Sequence, residues 1–209
     1  MNSFEKLISP YTRKEFSTKY WLTAPCKFEP IPSLLTSLRS NESLFSLETL
    51  VESGHEVFKI MPEKGAFFQL GSRDDALKGW RSRESSATIV AESTELVIPD
   101  VWSLFFKLVN DISIPVHWSW TNIYYSQKQS GLIRHWDNHE NFIIGLNGVK
   151  RFQIAPNNCV KYPEQNADNL NPHISGFEKE IEKERLAETL PGMIEIDVGP
   201  GEGVFIPRG

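Results

Sequence analysis

The sequence predicts a mainly β domain with flanking helices, and three observations carry that expectation. Aromatic residues make up 11% of the 209 residues and include six tryptophans, a composition suited to cross-strand packing on pleated surfaces. From His117 onward, aromatic and β-branched runs of strand length alternate with Gly, Pro and Asn, the usual bounds of short strands. Up to Gly54, and again from Asp100 to Asn110, apolar residues recur at helical spacing. A hydrophobic content of 40% over this length allows one sizeable core. We therefore expect a single catalytic-size domain, with residues 1–110 a mixed helical and β part packing on the core and residues 111–209 the β core itself.

The elements follow in order. Thr12-Arg-Lys-Glu15 has the spacing of a capping box, so a short helix should follow and place Phe16 and Tyr20 one above the other. Leu44, Leu47, Leu50 and Val51 recur at helical spacing, with Gly54 as the stop. Val57 to Ile60, Ala66 to Leu70 and Thr88 to Val90 read as short strands. Asp100 is placed to cap a helix whose Trp102, Phe105, Phe106 and Val109 form one apolar stripe. Trp118 to Tyr125, Asn141 to Leu146 and Lys150 to Ile154 read as strands. Asn147-Gly148 between the last two is the signal for a two-residue type I′ hairpin, which would make them antiparallel neighbours. Phe177 to Leu190 reads as a mixed-charge helix with a solvated face. Met193 to Asp197 alternates as a half-buried strand should, and Gly199-Pro-Gly-Glu-Gly203 then turns into Val204-Phe-Ile206.

A formal charge of −5 and a pI near 5.6 argue against a broad electrostatic footprint for nucleic acid. Cys26 and Cys159 stand far apart and fit neither a disulfide framework nor a Cys-x-x-Cys motif, which suits a reducing compartment. The expected setting is the cytoplasm, with the nucleus left open. No apolar run approaches the ~20 residues needed to cross a bilayer. There is no Gly-rich phosphate loop and no nucleophile elbow, and Glu195 and Asp197 lack the context of a glycosidase carboxylate pair.

Chemistry concentrates in Gly131 to Lys150. His135 and Asp137 are separated by one residue, so on an extended segment both side chains point to the same side. An imidazole and a carboxylate projecting together form two thirds of a 2-His-1-carboxylate triad, which leaves open positions on a non-haem Fe(II). A third ligand is then required. Lys150 follows thirteen residues after Asp137, and an ammonium there can bind the distal carboxylate of a small dicarboxylic acid whose other end chelates the metal. His139 is a weaker candidate ligand, and His55, His117 and His173 read as ordinary surface or satisfied histidines.

His135-Trp-Asp137, Asn141-Phe-Ile-Ile-Gly-Leu, Gly148-Val-Lys-Arg-Phe and Gly199-Pro-Gly-Glu-Gly-Val-Phe-Ile-Pro-Arg-Gly209 resemble the JmjC and cupin-like Fe(II)/2-oxoglutarate oxygenases over about the last ninety residues. Phe16, Tyr20-Trp21, Pro25 and Asn122-Ile-Tyr124-Tyr-Ser126 resemble the ribosomal-oxygenase branch. The resemblance implies a double-stranded β-helix (jelly roll), Fe(II), and 2-oxoglutarate as co-substrate. It also implies hydroxylation of a protein side chain or another substrate, with decarboxylation of 2-oxoglutarate to succinate. It makes His135 and Asp137 iron ligands, Lys150 the partner of the co-substrate's distal carboxylate, and Asn122, Tyr124 and Asn141 pocket residues. Leu132 departs from members with a threonine three residues before the first histidine. The family's second histidine follows the Phe-Ile-Pro-x-Gly strand by two or three residues, so the expectation is a jelly roll incomplete at its C-terminal end, with the third ligand beyond Gly209. Partners are expected to be a protein or small-molecule substrate, with a second copy of the chain as a further candidate. The rival expectations are an inactive cupin-like binding module and a metal cupin enzyme independent of 2-oxoglutarate.

Overall fold

The computed structural model describes residues 1–62, 68–82, 86–132, 134–158, 160, 162–166 and 190–209. In chain order its elements are α1 (Ser3–Leu7), α2 (Arg13–Lys19), β1 (Cys26–Phe28), α3 (Thr36–Arg39), α4 (Leu47–Glu52), β2 (Val57–Met61), β3 (Gln69–Ser72) and α5 (Arg73–Arg81). They continue with β4 (Thr88–Ala91), α6 (Pro99–Ile112), β5 (Ile123–Ser126), β6 (Asn141–Ile144), β7 (Lys150–Ile154), β8 (Ile194–Val198) and β9 (Gly203–Ile206). The strand pairings among the described residues are antiparallel. The chain divides into two compact units, residues 1–7 with 31–132, and residues 8–30 with 133–209. Residues 177–189 of the helix read over Phe177 to Leu190, with His173 and Cys159, lie outside the described residues.

The first unit is built on a four-stranded sheet of order β3-β2-β4-β5. Its inner strand β4 is buried at every position, and Phe58 and Met61 of β2 are fully buried. This is the burial expected of a central strand covered on both faces. Helix α4 starts where the Ser46 hydroxyl accepts from the Thr49 amide at 3.2 Å and stops ahead of Gly54 at φ +99°, as the spacing predicts. Helix α6 differs from expectation at its start. Pro99 occupies the first turn behind the N-cap Ile98, with no side-chain cap, because proline's fixed φ and missing N–H suit that position. Asp100 instead accepts from the Asn41 side-chain amide at 2.9 Å. The apolar stripe also divides, since Phe105 and Val109 are buried while Trp102 and Phe106 stay 41% and 43% exposed.

The strand read over Trp118 to Tyr125 is shorter than expected. Val116–Trp118 forms a 3-10 turn and β5 begins only at Ile123. Glu95 explains the delay, because its carboxylate accepts from both the amide and the hydroxyl of Thr121, at 2.9 and 2.7 Å. A side chain thus takes the amide that a ladder would have used. Within β5 the Tyr125 hydroxyl donates to the Ser43 carbonyl, and burial pushes its pKa well above that of a free phenol.

In the second unit the capping box forms as predicted. Thr12 Oγ1 accepts from the Glu15 amide at 3.2 Å, and the Glu15 carboxylate accepts from the Thr12 amide at 3.0 Å. Helix α2 thereby delivers Phe16, fully buried, to the sheet β1-β9-β6. Phe142 of β6 sits opposite Phe205 of β9 in register, and Cys26 of β1 opposes it on the other side. The Phe205 ring meets Phe16 edge-on at 4.9 Å, Phe142 at 4.9 Å and Trp21 in a stack at 5.8 Å. Each such ring pair is worth about 0.5–1.5 kcal/mol beyond its area burial.

The hairpin expected at Asn147-Gly148 does not form. Strand β6 pairs with β9, and β7 pairs with β8 in a separate two-stranded sheet. A type I′ turn needs positive φ at both central residues, and of the two only Gly148 has it, at +67°. What directs the chain is the preceding Gly145. Its amide donates to the Glu202 carbonyl at 2.9 Å and its carbonyl accepts from the Gly201 amide at 2.8 Å. The Glu202 carboxylate closes the same turn on the Gly199 amide at 2.7 Å and pairs with Lys27 at 2.7 Å. The Lys27 hydrogen bond first, and the Gly199 amide second, hold the Glu202 carboxyl below the usual range.

A side chain has no room at Gly203, where an added Cβ would overlap the Phe28 ring and stand 2.8 Å from the Ile143 carbonyl. Gly203→Ala is therefore expected to cost about 1–3 kcal/mol or more, read as a lower urea midpoint with an unchanged slope; an unaltered midpoint would contradict this packing.

Candidate functional site

His135 and Asp137 flank Trp136, which occupies an isolated bridge position. The local backbone is therefore extended, and side chains two apart share a side. His135 is exposed and Asp137 half-buried. Asp137 is held twice: its carbonyl accepts from the Gly209 amide at 3.0 Å, and its Oδ2 accepts from Asn141 Nδ2 at 2.7 Å. Asn141 is the first residue of β6, in register with Ile206 of β9, so the donor that meets the carboxylate is itself anchored in the sheet.

The residues around the pair are tied to the segment 164–166. Trp136 Nε1 donates to the Gln165 carbonyl at 3.3 Å, Asn138 Nδ2 to the Glu164 carbonyl at 2.9 Å, and the Asn138 amide to Asn166 Oδ1 at 2.7 Å. His139 Nδ1 bonds Asn138 Oδ1 at 2.9 Å, which gives the weaker candidate ligand a neighbouring amide as partner. Arg208 lies 3.9 Å from Glu140 and 5.9 Å from the centre of the Tyr162 ring. None of Asn138, Asn166 or Arg208 stood out in the sequence. The only signal was the density of asparagines, whose side chains are suited to bonding nearby backbone.

Lys150 opens β7 opposite Val198, with its Nζ 5.6 Å from the Phe152 ring centre. Desolvation lowers its pKa from the ordinary lysine value, as burial does for any ammonium. Asn122 and Tyr124 belong to the first unit. Asn122 Oδ1 accepts from the Ser93 amide at 3.3 Å, and Tyr124 sits on β5 opposite Val90 with 43% of its surface exposed.

An imidazole and a carboxylate suit a first-row divalent ion, and no described residue hydrogen-bonds Asp137 Oδ1, the oxygen that Asn141 leaves available. Among the described residues no group of three or more His, Cys, Asp or Glu comes together to hold a metal. The residues present thus fit two of the three protein ligands of a facial triad.

A family model described as JmjC domain matches residues 98–209, more than half of the chain. The uncharacterized protein YxbC of Bacillus subtilis (strain 168) is 26% identical over 215 aligned positions, which cover 98% of this chain and 64% of that protein. The fold is similar to that of YcfD from Escherichia coli, described as a ribosomal oxygenase and solved with cobalt and succinic acid. That match has a TM-score of 0.59 at 13% identity, covering 96% of this chain and 46% of YcfD. YcfD solved with cobalt and 2-oxoglutarate matches with a TM-score of 0.58 at 13% identity, over the same shares of the two chains. The chain is thus JmjC-like and cupin-like, with antiparallel sheets and flanking helices, and it spans under two thirds of YxbC and under half of YcfD. No helix among the described residues is long and apolar enough to cross a membrane.

The lowered pKa of Lys150 has a consequence for stability. A hydrated ammonium in the unfolded chain becomes a partly desolvated one on folding, so a cost exists while Lys150 is charged in the folded state. That cost is present below the folded pKa and disappears as pH rises through it towards the ordinary lysine value. Lys150→Met is expected to melt at or above the wild-type temperature at pH 7, with the gap closing above about pH 10. A variant that melts well below wild type at neutral pH would show that Lys150 stabilises the fold instead.

Proposed function

The chain belongs to the JmjC domain family, and we propose that it is an Fe(II)- and 2-oxoglutarate-dependent oxygenase that hydroxylates a protein side chain. The observation that supports this most is Asp137, two residues beyond His135, held through Oδ2 by Asn141 in the same unit as the desolvated Lys150. The description of YcfD as a ribosomal oxygenase, with cobalt and 2-oxoglutarate bound, supports the same assignment and a protein substrate.

His135 and Asp137 would hold the metal, and the Lys150 ammonium would pair with the distal carboxylate of the co-substrate. A charge-assisted bond in a partly desolvated setting is stronger than one in water. When bound, Fe(II) and 2-oxoglutarate would supply the oxidising chemistry together with O2, one oxygen atom going to succinate as carbon dioxide leaves and the other to the substrate hydroxyl. The protein's own part is to fix the two donors, keep one face of the metal open, and limit water around it. The ties from Trp136 and Asn138 to residues 164–166 serve the first of these by immobilising the backbone on either side of Asp137. The Gly209 amide bonds the Asp137 carbonyl, which ties the strand end after β9 to the backbone of the carboxylate donor. Such chemistry needs iron kept ferrous, which suits a reducing compartment such as the cytoplasm.

The test is succinate release by the intact protein given Fe(II), ascorbate and 2-oxoglutarate. We expect turnover that His135→Ala and Asp137→Ala abolish, and a 2-oxoglutarate KM raised about 30-fold or more by Lys150→Met, the effect of losing one partner of a charged pair. Turnover of another substrate that is indifferent to Lys150→Met would point to a cupin enzyme without 2-oxoglutarate. Neither metal binding nor succinate would leave a metal-free binding module as the reading.

A further inference from the structure

We propose that Asn141 is a positioning residue for Asp137, selecting which carboxylate oxygen meets the metal, and is not primarily a co-substrate contact. The inference rests on the Fe(II) reading above and deepens it. Three observations carry it. Asn141 Nδ2 stands 2.7 Å from Asp137 Oδ2, a short bond of the charge-assisted kind. Asn141 begins β6 and is paired with Ile206 of the sheet's central strand, so its backbone has a fixed origin. Asp137 is also pinned at its carbonyl by the Gly209 amide, so with the backbone held, rotation of the carboxylate is the freedom that remains. Donating to Oδ2 removes that freedom and leaves Oδ1 to face a metal. A flat carboxylate that must otherwise order itself on metal binding would do so at a cost in affinity. Groups that orient ligands in this way are typically worth 10–100-fold in metal affinity.

The two roles are separable because a metal can be titrated without co-substrate. Co(II) alone is titrated into the intact protein under anaerobic conditions and its visible absorption followed. If Asn141 orients Asp137, Asn141→Ala and Asn141→Val raise the Co(II) Kd about 10–100-fold with no 2-oxoglutarate present. Asn141→Gln, which keeps an amide donor, recovers part of that loss. Asn141→Val is included because its β-branched side chain suits the start of a strand, so a loss of binding shared by both variants is not a loss of β6. A wild-type Co(II) Kd in both variants, or a defect seen only in the 2-oxoglutarate KM, would overturn the proposal and restore the co-substrate role. Failure of the wild-type protein to bind Co(II) at all would instead strike the Fe(II) reading on which it rests.

Discussion

The second unit depends on one aromatic contact set, the packing of Phe16, Trp21 and Phe142 around Phe205. Phe205 lies on the central strand of β1-β9-β6, and the rings that close on it come from α2, from the chain just after α2, and from β6. Residues 8–30 are thus joined to residues 133–209 by side chains that have little reason to order separately. Once the cluster is closed, the register of β6 is settled by Phe142 opposite Phe205, because a slip of one residue would turn Phe142 to the other face. Asn141, one position earlier, then has its place, and so does its donor to Asp137. The chemistry proposed for the site descends from a packing decision several residues away.

The same logic explains the glycines of this unit. Gly203 lets β9 pass beneath the Phe28 ring, and Gly145 lets β6 end against the Gly199 carbonyl. Both are close approaches of backbone, where a Cβ has no room. The turn they support is finished by Glu202, whose carboxylate serves the Gly199 amide and Lys27 together. The result sends β7, which starts at Lys150, into a different sheet from β6. His135 and Asp137 therefore sit on the segment that leads into β6, while the candidate anion partner opens β7 in a different sheet of the same unit.

Local signals were legible in the sequence and non-local ones were not. The Thr12–Glu15 capping box and the Gly54 stop involve neighbours in the chain, and both occur as read. The extended backbone between His135 and Asp137 was legible for the same reason, and Trp136 between them occupies a bridge position. Asn147-Gly148 misled because a strong local turn preference lost to the bonds that Gly145 makes with Gly201 and Glu202, residues far along the chain. Trp118 to Tyr125 has strand composition, yet Glu95 captures Thr121 and shortens the strand. Asn141 was legible as a polar residue near the site. Its partner was not, because the meeting with Asp137 depends on how the backbone bends at Asn138 and His139.

The most direct test of this account is a crystal structure of the intact protein grown with Co(II), with the metal located by anomalous scattering. The account predicts one peak about 2 Å from a ring nitrogen of His135 and from Asp137 Oδ1, with Asp137 Oδ2 still bonded to Asn141 Nδ2. A protein saturated with Co(II) that carries no peak at His135 and Asp137 would contradict it.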